Sequence, residues 1–498
     1  MGIIKRNSFN NTIISFAGAG LGFLSTIWLF PNLLTQEQNG LTVVLVSIGM
    51  IYYSFAHLGS INAINHFYFR FHESRIKTGT LLGYCLLLSL IGFTIIAGLI
   101  LAFRESVLLF FSHGKNSELL VQYMWWLFPI SFSILFFALF EAYARSLFKL
   151  IIPVFLREIL IRVLNIISVL LFWKGWIDFQ AFVSLFVGAY FLVLILMIGF
   201  LIYRKRFIIN FRFRELKRQE YVKINRYSII SILNSTTWVL ASRIDVMMLA
   251  YFIGLKAPAV YNVAMALVVL IQIPLRSMQL VSVPVITRSW KENDIAQIQR
   301  FYHESALNLL IIGSFLFLML VANFTPVFHF LPSAYRAAKP LIIILGISKV
   351  IDMGTGVNTE IIMFSRKYYV LTIIIAILMF ITLAANFILI PKYGVIGAAY
   401  SSFIAYGIFN LMKFAWVKRE YGLSMTSPRY WGALLLATIT FCAVYFIPDS
   451  MSVLLNSLEK SLVVLILFLA PVLLFKLSPE LNNILQVIRR RSKKLMSR

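Results

Sequence analysis

Apolar residues fill this chain in fourteen long runs joined by short polar stretches. A run of about 20 apolar residues crosses the ~30 Å hydrocarbon core of a bilayer as one helix. The pattern predicts spans near 10–30, 41–68, 79–103, 118–143, 150–172, 178–203, 225–252, 258–286, 303–331, 336–364, 368–390, 395–417, 430–447 and 456–475. No stretch between them is long enough for a soluble domain. The expected architecture is therefore an all-α polytopic membrane protein of about 14 transmembrane helices.

Composition agrees. Of 498 residues, 60% are hydrophobic and 13% charged, about half the charged share of a soluble chain. A net charge of +26 raises the question of nucleic acid, but the placement of the charges answers it. With the N-terminus on the cytoplasmic side, 30 basic residues fall in joints on that side and 8 in the opposite joints. That bias is the positive-inside rule, and it orients both termini to the cytoplasm. The charge then reports topology and contact with an anionic inner leaflet, and no nucleic-acid partner is expected. Lys5 and Arg6 precede a first run that is too long for a signal peptide and has no small-residue cleavage site, so it reads as a retained span.

The most basic joint, RKRFIINFRFRELKRQEYVK, follows the sixth span. It divides the chain into a six-helix lobe (1–203), a basic linker (204–224), a second six-helix lobe (225–417), an extra helix pair (418–475) and a basic tail (476–498). The lobes match at a constant offset of 219 positions. Gly40 pairs with Ala259, Gly175 with Gly394, Glu141 with Glu360, and His57 with Arg276. Both halves start inside, so the repeat is parallel, as in transporters built from two lobes around a midplane site. Evenly spaced helices also generate offsets by chance; the landmark residues favour duplication.

The opening IIKRNSFNNTIISFAGAGLGFLSTIWLFPNLLTQEQNGL, the segment SRIDVMMLAYFIGLKAPAVYNVAMAL (242–267) and LIPKYGVIGAAYSSFIAYGIF (389–409) resemble bacterial oligosaccharide-repeat-unit flippases. These belong to the multidrug/oligosaccharidyl-lipid/polysaccharide exporter superfamily. The family's usual Gly before the second-half tyrosine is Ala259 here. The resemblance implies a flippase in the bacterial cytoplasmic membrane. It would move a polyprenyl-pyrophosphate-linked oligosaccharide, such as a surface-polysaccharide or O-antigen repeat unit, to the outer leaflet by alternating access. It would work as a monomer, with polysaccharide polymerase machinery as a candidate partner. Two alternatives stay open. One is a flippase for the peptidoglycan precursor. The other is a cation-coupled drug antiporter of the same superfamily, which the extra helix pair and the in-span arginines argue against.

Catalysis has no visible seat. There is no Gly-rich Lys-Ser/Thr loop, no HExxH, no GxSxG and no carboxylate cluster in a loop. Cys85 and Cys442 lie in spans and read as packing thiols; no metal site and no cofactor are expected. The chain reads as a transporter, not an enzyme.

The candidate chemistry is charge inside spans, where an ionisable residue costs ~2.5–3.5 kcal/mol and faces a cavity or a partner. Arg276 has no carboxylate within four residues and lies ~27 Å along its span. It is either a phosphate ligand or a headgroup anchor. The family lines its cavity with the first two helices of each half, which implies that Arg276 and His57 face one another. Arg243 and Asp245 are two apart and point to opposite sides of one helix. Lys349 and Asp352, three apart, either neutralise each other or meet substrate. Asn62, Asn65 and His66 share a stripe with Leu58 and are either sugar contacts or interhelical glue. Glu141 and Glu360 are candidate gates or caps. Glu158 and Arg162, four apart, read as a structural pair, and Lys413 reads as a snorkelling residue. The tryptophans, Trp290 included, read mainly as an interfacial belt.

Overall fold

The structure, a computed structural model, describes residues 14–107, 118–204, 208–448 and 452–478. The start of the opening motif, Lys115, Lys205, Arg206 and the basic tail beyond 478 lie outside the described residues. Every regular element among the described residues is helical.

The first seven helices are α1 (Ile14–Leu33), α2 (Gln36–Ala56), α3 (Ser60–Phe71), α4 (Arg75–Ala102), α5 (Glu118–Ser146), α6 (151–173) and α7 (Phe179–Tyr203). Then come α8 (Arg218–Phe252), α9 (Lys256–Glu292), α10 (Ile295–Ala322), α11 (Ala338–Gly354) and α12 (Asn358–Met363). The last four are α13 (Tyr369–Tyr393), α14 (Val395–Tyr421), α15 (Pro428–Phe446) and α16 (Val453–Leu474). Their starts are written in short polar side chains that satisfy first-turn amides. Thr35 and Gln38 form a reciprocal capping box on α2, and Asp178 and Asp294 cap α7 and α10.

Among the described residues, eleven helices are long and apolar enough to cross a membrane. The expected spans near 150–172, 225–252 and 336–364 are not among them, and these three carry most of the in-span charge. α6 is interrupted by a π-helical segment, Leu156–Leu160. α8 is a 35-residue helix of mixed polarity. The expected span 336–364 is two helices, α11 and α12, parted at Gly356 with φ +62°.

The second span is also divided. α2 stops at His57, Leu58 and Gly59 take positive φ (41° and 80°), and α3 starts at Ser60. A side chain on Gly59 would strike the backbone of Ser228 on α8, so both the turn and the close approach require glycine. Thr236 of α8 donates to the Ser54 carbonyl at 2.6 Å, answering a carbonyl freed at the end of α2.

The chain packs as two compact units, Met1–Asn262 with Ile390–Val395, and Val263–Leu389 with Ile396–Arg498. In the first, α2 packs on α4, α5 and α8, and α5 also packs on α7. Its core includes Tyr52, Phe67, Leu81, Cys85, Phe140 and Met197. In the second, α10 is central, packed by α9, α11, α15 and α16. These packing units differ from the lobes drawn at 203/225, because α8 packs in the first unit. Burial separates the roles of the helices: 72% of the α10 span is buried, against 17% for α4 and 22% for α15 and α16. The weakly buried helices turn Ile95, Leu99, Leu435, Leu458 and similar side chains outward, as lipid-facing helices do. Cys85 is buried as a packing thiol, whereas Cys442 is exposed on α15.

Candidate functional site

The first unit gathers arginines around two tyrosines. Arg243 stands on α8 nine residues before its end, about 14 Å by the helical rise. It is half-buried, and it makes no ion pair and no hydrogen bond among the described residues. It lies within electrostatic reach of Tyr53 on α2 and Tyr190 on α7. Asp245, two residues on, is buried and accepts a 2.6 Å hydrogen bond from Tyr261. The two charges therefore leave α8 on different sides.

A chain of ion pairs runs from the same tyrosines. Tyr53 is in electrostatic reach of Glu141 and Arg157, and Tyr190 of Arg162. Arg157 Nη1 meets Glu141 Oε1 at 2.5 Å and its Nε meets Glu158 Oε1 at 3.1 Å. Arg162 Nη2 meets Glu158 Oε2 at 3.1 Å, and its other terminal nitrogen donates to the Gly18 carbonyl of α1. Arg145 approaches Glu141 at 3.7 Å. The local Glu158–Arg162 pair is thus one link of a longer chain. Two backbone features permit it. The π segment widens α6 where Arg157 and Glu158 sit. Gly18 and Gly22 leave room on α1, since a Cβ at Gly18 would lie 2.6 Å from Glu158 Cβ and one at Gly22 would collide with Arg162. The arginine side chains remain 30–45% exposed for Arg162 and Arg157, so they are reachable by a ligand.

His57 is 2% exposed. Its Nδ1 accepts from the Gly59 N–H at 2.8 Å, so its Nε2 carries the proton and faces Ser235 Oγ at 3.1 Å. Both nitrogens are occupied: Nδ1 closes the α2–α3 break on itself and Nε2 ties that break to α8. Asn62 reaches the Ser231 carbonyl at 3.5 Å, and His66 stacks on Tyr227 at 4.3 Å. Asn65 is half-buried and makes no hydrogen bond among the described residues.

The second unit gathers lysines and carboxylates. Lys413 is 2% exposed on α14. Its ammonium lies 3.8 Å from Asp352 Oδ1, donates to Thr359 Oγ1 at 3.1 Å and sits 4.1 Å over the Phe409 ring. It does not snorkel, because these partners hold it inside. Asp352 Oδ2 accepts from Gln272 at 2.9 Å. Lys349 makes no ion pair with Asp352; its ammonium lies 4.3 Å over the Tyr406 ring, so the two do not form a self-neutralised pair. Glu360 is buried, and one of its oxygens has no hydrogen-bond partner among the described residues. Trp290, two residues from the end of α9, donates to the Ile361 carbonyl at 3.2 Å. Arg276 shares a face of α9 with Gln272 and Gln279, at spacings of four and three, and is exposed with no ion pair among the described residues. Arg276 and His57 belong to different compact units. Among the described residues no group of three or more His, Cys, Asp or Glu side chains is placed to hold a metal.

A family model described as "Polysaccharide biosynthesis protein" matches residues 4–290. The chain belongs to that family. Among solved structures it is similar to an inward-closed lipid II flippase MurJ, with a TM-score of 0.72 and 16% identity over 92% of this chain and 97% of that one. It is also similar to an inward-facing multidrug resistance MATE family transporter of the MOP superfamily, at 0.63 and 16% over 82% and 94%. At such identities the likeness establishes the fold. A comparison with curated protein sequences returns no match. This member of the polysaccharide biosynthesis protein family is therefore a multi-pass membrane protein with the fold of flippases and transporters.

Arg157 and Arg162 stand among the in-span charges of the sequence but outside the expected site, and Tyr53 and Tyr190 are not marked by the sequence at all. The pairing of Arg157 with Glu141 spans sixteen residues and two helices, so helical spacing does not reveal it. A signal was present in the arginine excess around Glu158.

Proposed function

We propose that the chain is a flippase for a polyprenyl-pyrophosphate-linked oligosaccharide of surface-polysaccharide biosynthesis, working by alternating access without nucleotide hydrolysis. The observation that carries this reading is Arg243: a half-buried guanidinium on α8, a helix packed against the apolar α2, with no carboxylate partner among the described residues. An unpaired cation in that setting is costly unless a ligand neutralises it. A pyrophosphate carries charge and acceptor oxygens that a guanidinium binds through a two-pronged fork. Arg157 and Arg162 supply further donors beside the same tyrosines. Arg276, also unpaired, offers a second station in the other unit. The glycan's hydroxyls need a polar route because they lose hydrogen bonds in hydrocarbon.

The topology goes with this reading: both termini and the linker 204–223 cytoplasmic, in the bacterial inner membrane. The test is outer-leaflet glycan display in a strain lacking the native gene, complemented by native, Arg243→Ala, Arg243→Lys and Arg276→Ala chains, with membrane abundance measured in parallel. Loss of display at normal abundance for Arg243→Ala, with partial function for Arg243→Lys, is expected. Normal display by Arg243→Ala removes it from the site. Rescue of a strain lacking its peptidoglycan-precursor flippase, without rescue of surface glycan, transfers the function to that substrate.

A further inference from the structure

Away from the arginine–tyrosine cluster, the first unit holds a cavity of about 490 Å³ where α3, α5 and α7 end and α4 begins. These helix ends share one membrane face, because a three-residue turn joins α3 to α4 and the other two ends line the same space. Its polar lining includes His72, Glu73, Arg75 and Arg204, and Ile208 of the linker closes one side. The linker is seated there by backbone contact: Asn210 N–H donates to the Gly79 carbonyl at 3.1 Å, and Gly79 and Gly83 leave it room on α4.

Arg75 and Arg204 are exposed and make no ion pair among the described residues; the Arg204 guanidinium lies 5.9 Å over the ring of its neighbour Tyr203, a contact with the ring face that leaves its N–H edges open to a phosphate. Nor are they used to cap helix ends, because the terminal carbonyls have other donors. Leu147, Phe148 and Lys149 amides close the end of α5 on Tyr143, Ala144 and Arg145. Thr78 Oγ1 and the Ser74 amide close α3 on Phe71 at 2.8 and 3.0 Å. The Arg204 amide closes α7 on Phe200. Glu73 is the carboxylate in the lining, so the arginines leave the cavity cationic, and α4 adds the positive end of a 28-residue helix.

Beside this cationic space the surface is apolar and aromatic. Phe69 (48% exposed) and Phe148 (65%) lie with ring centroids 5.7 Å apart, and Ile76, Ile202 and Tyr203 are exposed nearby in sequence to the lining residues. A soluble anion would have no use for that apron; an acyl chain would. We propose that this cavity binds the phosphodiester headgroup of an anionic phospholipid, with Arg75 and Arg204 on the phosphate and the acyl chains over Phe69 and Phe148. The site rests on the membrane placement of the chain and is independent of what the chain transports.

The test uses the full chain in bilayer nanodiscs of phosphatidylcholine with phosphatidylglycerol, and native mass spectrometry to count each lipid retained. The native chain should retain phosphatidylglycerol in preference to phosphatidylcholine. The R75Q/R204Q variant should bind it about thirtyfold more weakly, from about 1 kcal/mol for each basic residue near an anionic surface. R75K/R204K should keep most of the retention, and E73Q should raise it. Equal retention by native and R75Q/R204Q chains overturns the site. If the double variant does not fold, E73Q decides: retention at or below the native level overturns it. Inorganic phosphate, added in excess, should leave the lipid bound. If it strips the lipid, the site belongs to free phosphate and the lipid assignment falls.

Discussion

The two units treat buried cations in opposite ways. In the first, guanidinium groups line up at the edge of the packing: Arg157 and Arg162 keep 45% and 30% of their side chains exposed, and Arg243 has no partner among the described residues. In the second, the Lys413 side chain is 3% exposed and closed between Asp352, Thr359 and the Phe409 ring, while Lys349 rests on Tyr406. Both sets are charges within spans expected from the sequence, where Arg243 and Lys349 are equally open to a substrate role. What separates them is access and chemistry. A point-charge ammonium enclosed by a carboxylate and a ring fixes neighbouring helices. A half-exposed guanidinium offers a planar fork to a phosphate.

The largest effect that can break this comparison is on Lys413. Lys413→Ala leaves the half-buried Asp352 without its cation, held only by Gln272, and should cost up to about 3 kcal/mol of stability, read as reduced membrane abundance and a lower unfolding temperature. The double change Lys413→Met with Asp352→Leu should recover much of that loss, because it removes both charges together. Unchanged abundance in Lys413→Ala would make this lysine a ligand group rather than a strut.

Arg243→Ala should do the reverse. Stability should hold, since no ion pair is lost, while transport falls roughly 10–100-fold, the worth of about 1.5–3 kcal/mol for hydrogen bonds to a charged group. Flipping of a lipid-linked glycan in proteoliposomes, with the unfolding temperature in parallel, checks both halves of the statement.

Glu141→Gln sharpens the picture within the first unit. Glu141 engages Arg157 at 2.5 Å and Arg145 at 3.7 Å. Removing its charge frees a guanidinium, so a prenyl pyrophosphate should bind up to about fivefold tighter, matching the ≤ ~1 kcal/mol of a partly exposed pair. Weaker binding would mean that Glu141 orients the arginine instead of competing for it. The smallest effect belongs to Arg145→Gln. With its side chain 55% exposed, it should shift stability by less than about 1 kcal/mol and leave binding nearly unchanged, as isothermal titration would register.

The architecture was legible in the chain because lipid imposes long apolar runs, and α2, α4, α5, α7, α10 and α13 appear where those runs lie. Legibility failed where a distant neighbour decides the backbone. The run 41–68 reads as continuous, yet Gly59 takes φ +80° because Ser228 of α8 comes against it. The same holds for the site. Arg243 and Asp245 could be read as opposed from their two-residue spacing alone. The partners of Lys413 and Lys349 could not, because they come from other helices, and a local Lys349–Asp352 pair was the simpler expectation. Nothing in the opening run itself sets Gly18 and Gly22 apart from its other small residues. Their consequence, room for Glu158 and Arg162, needs the packed helix pair to be seen.

The central claim is that the uncommitted guanidinium of Arg243, beside Tyr53 and Tyr190, takes the substrate's pyrophosphate. The most direct measurement is equilibrium binding of a prenyl pyrophosphate to the purified full chain, comparing native, Arg243→Ala and Lys349→Ala proteins of equal thermal stability. The account predicts at least about tenfold weaker binding for Arg243→Ala, about 1.4 kcal/mol, with Lys349→Ala close to native. Native-like binding by Arg243→Ala, or an equal loss in Lys349→Ala, would contradict it.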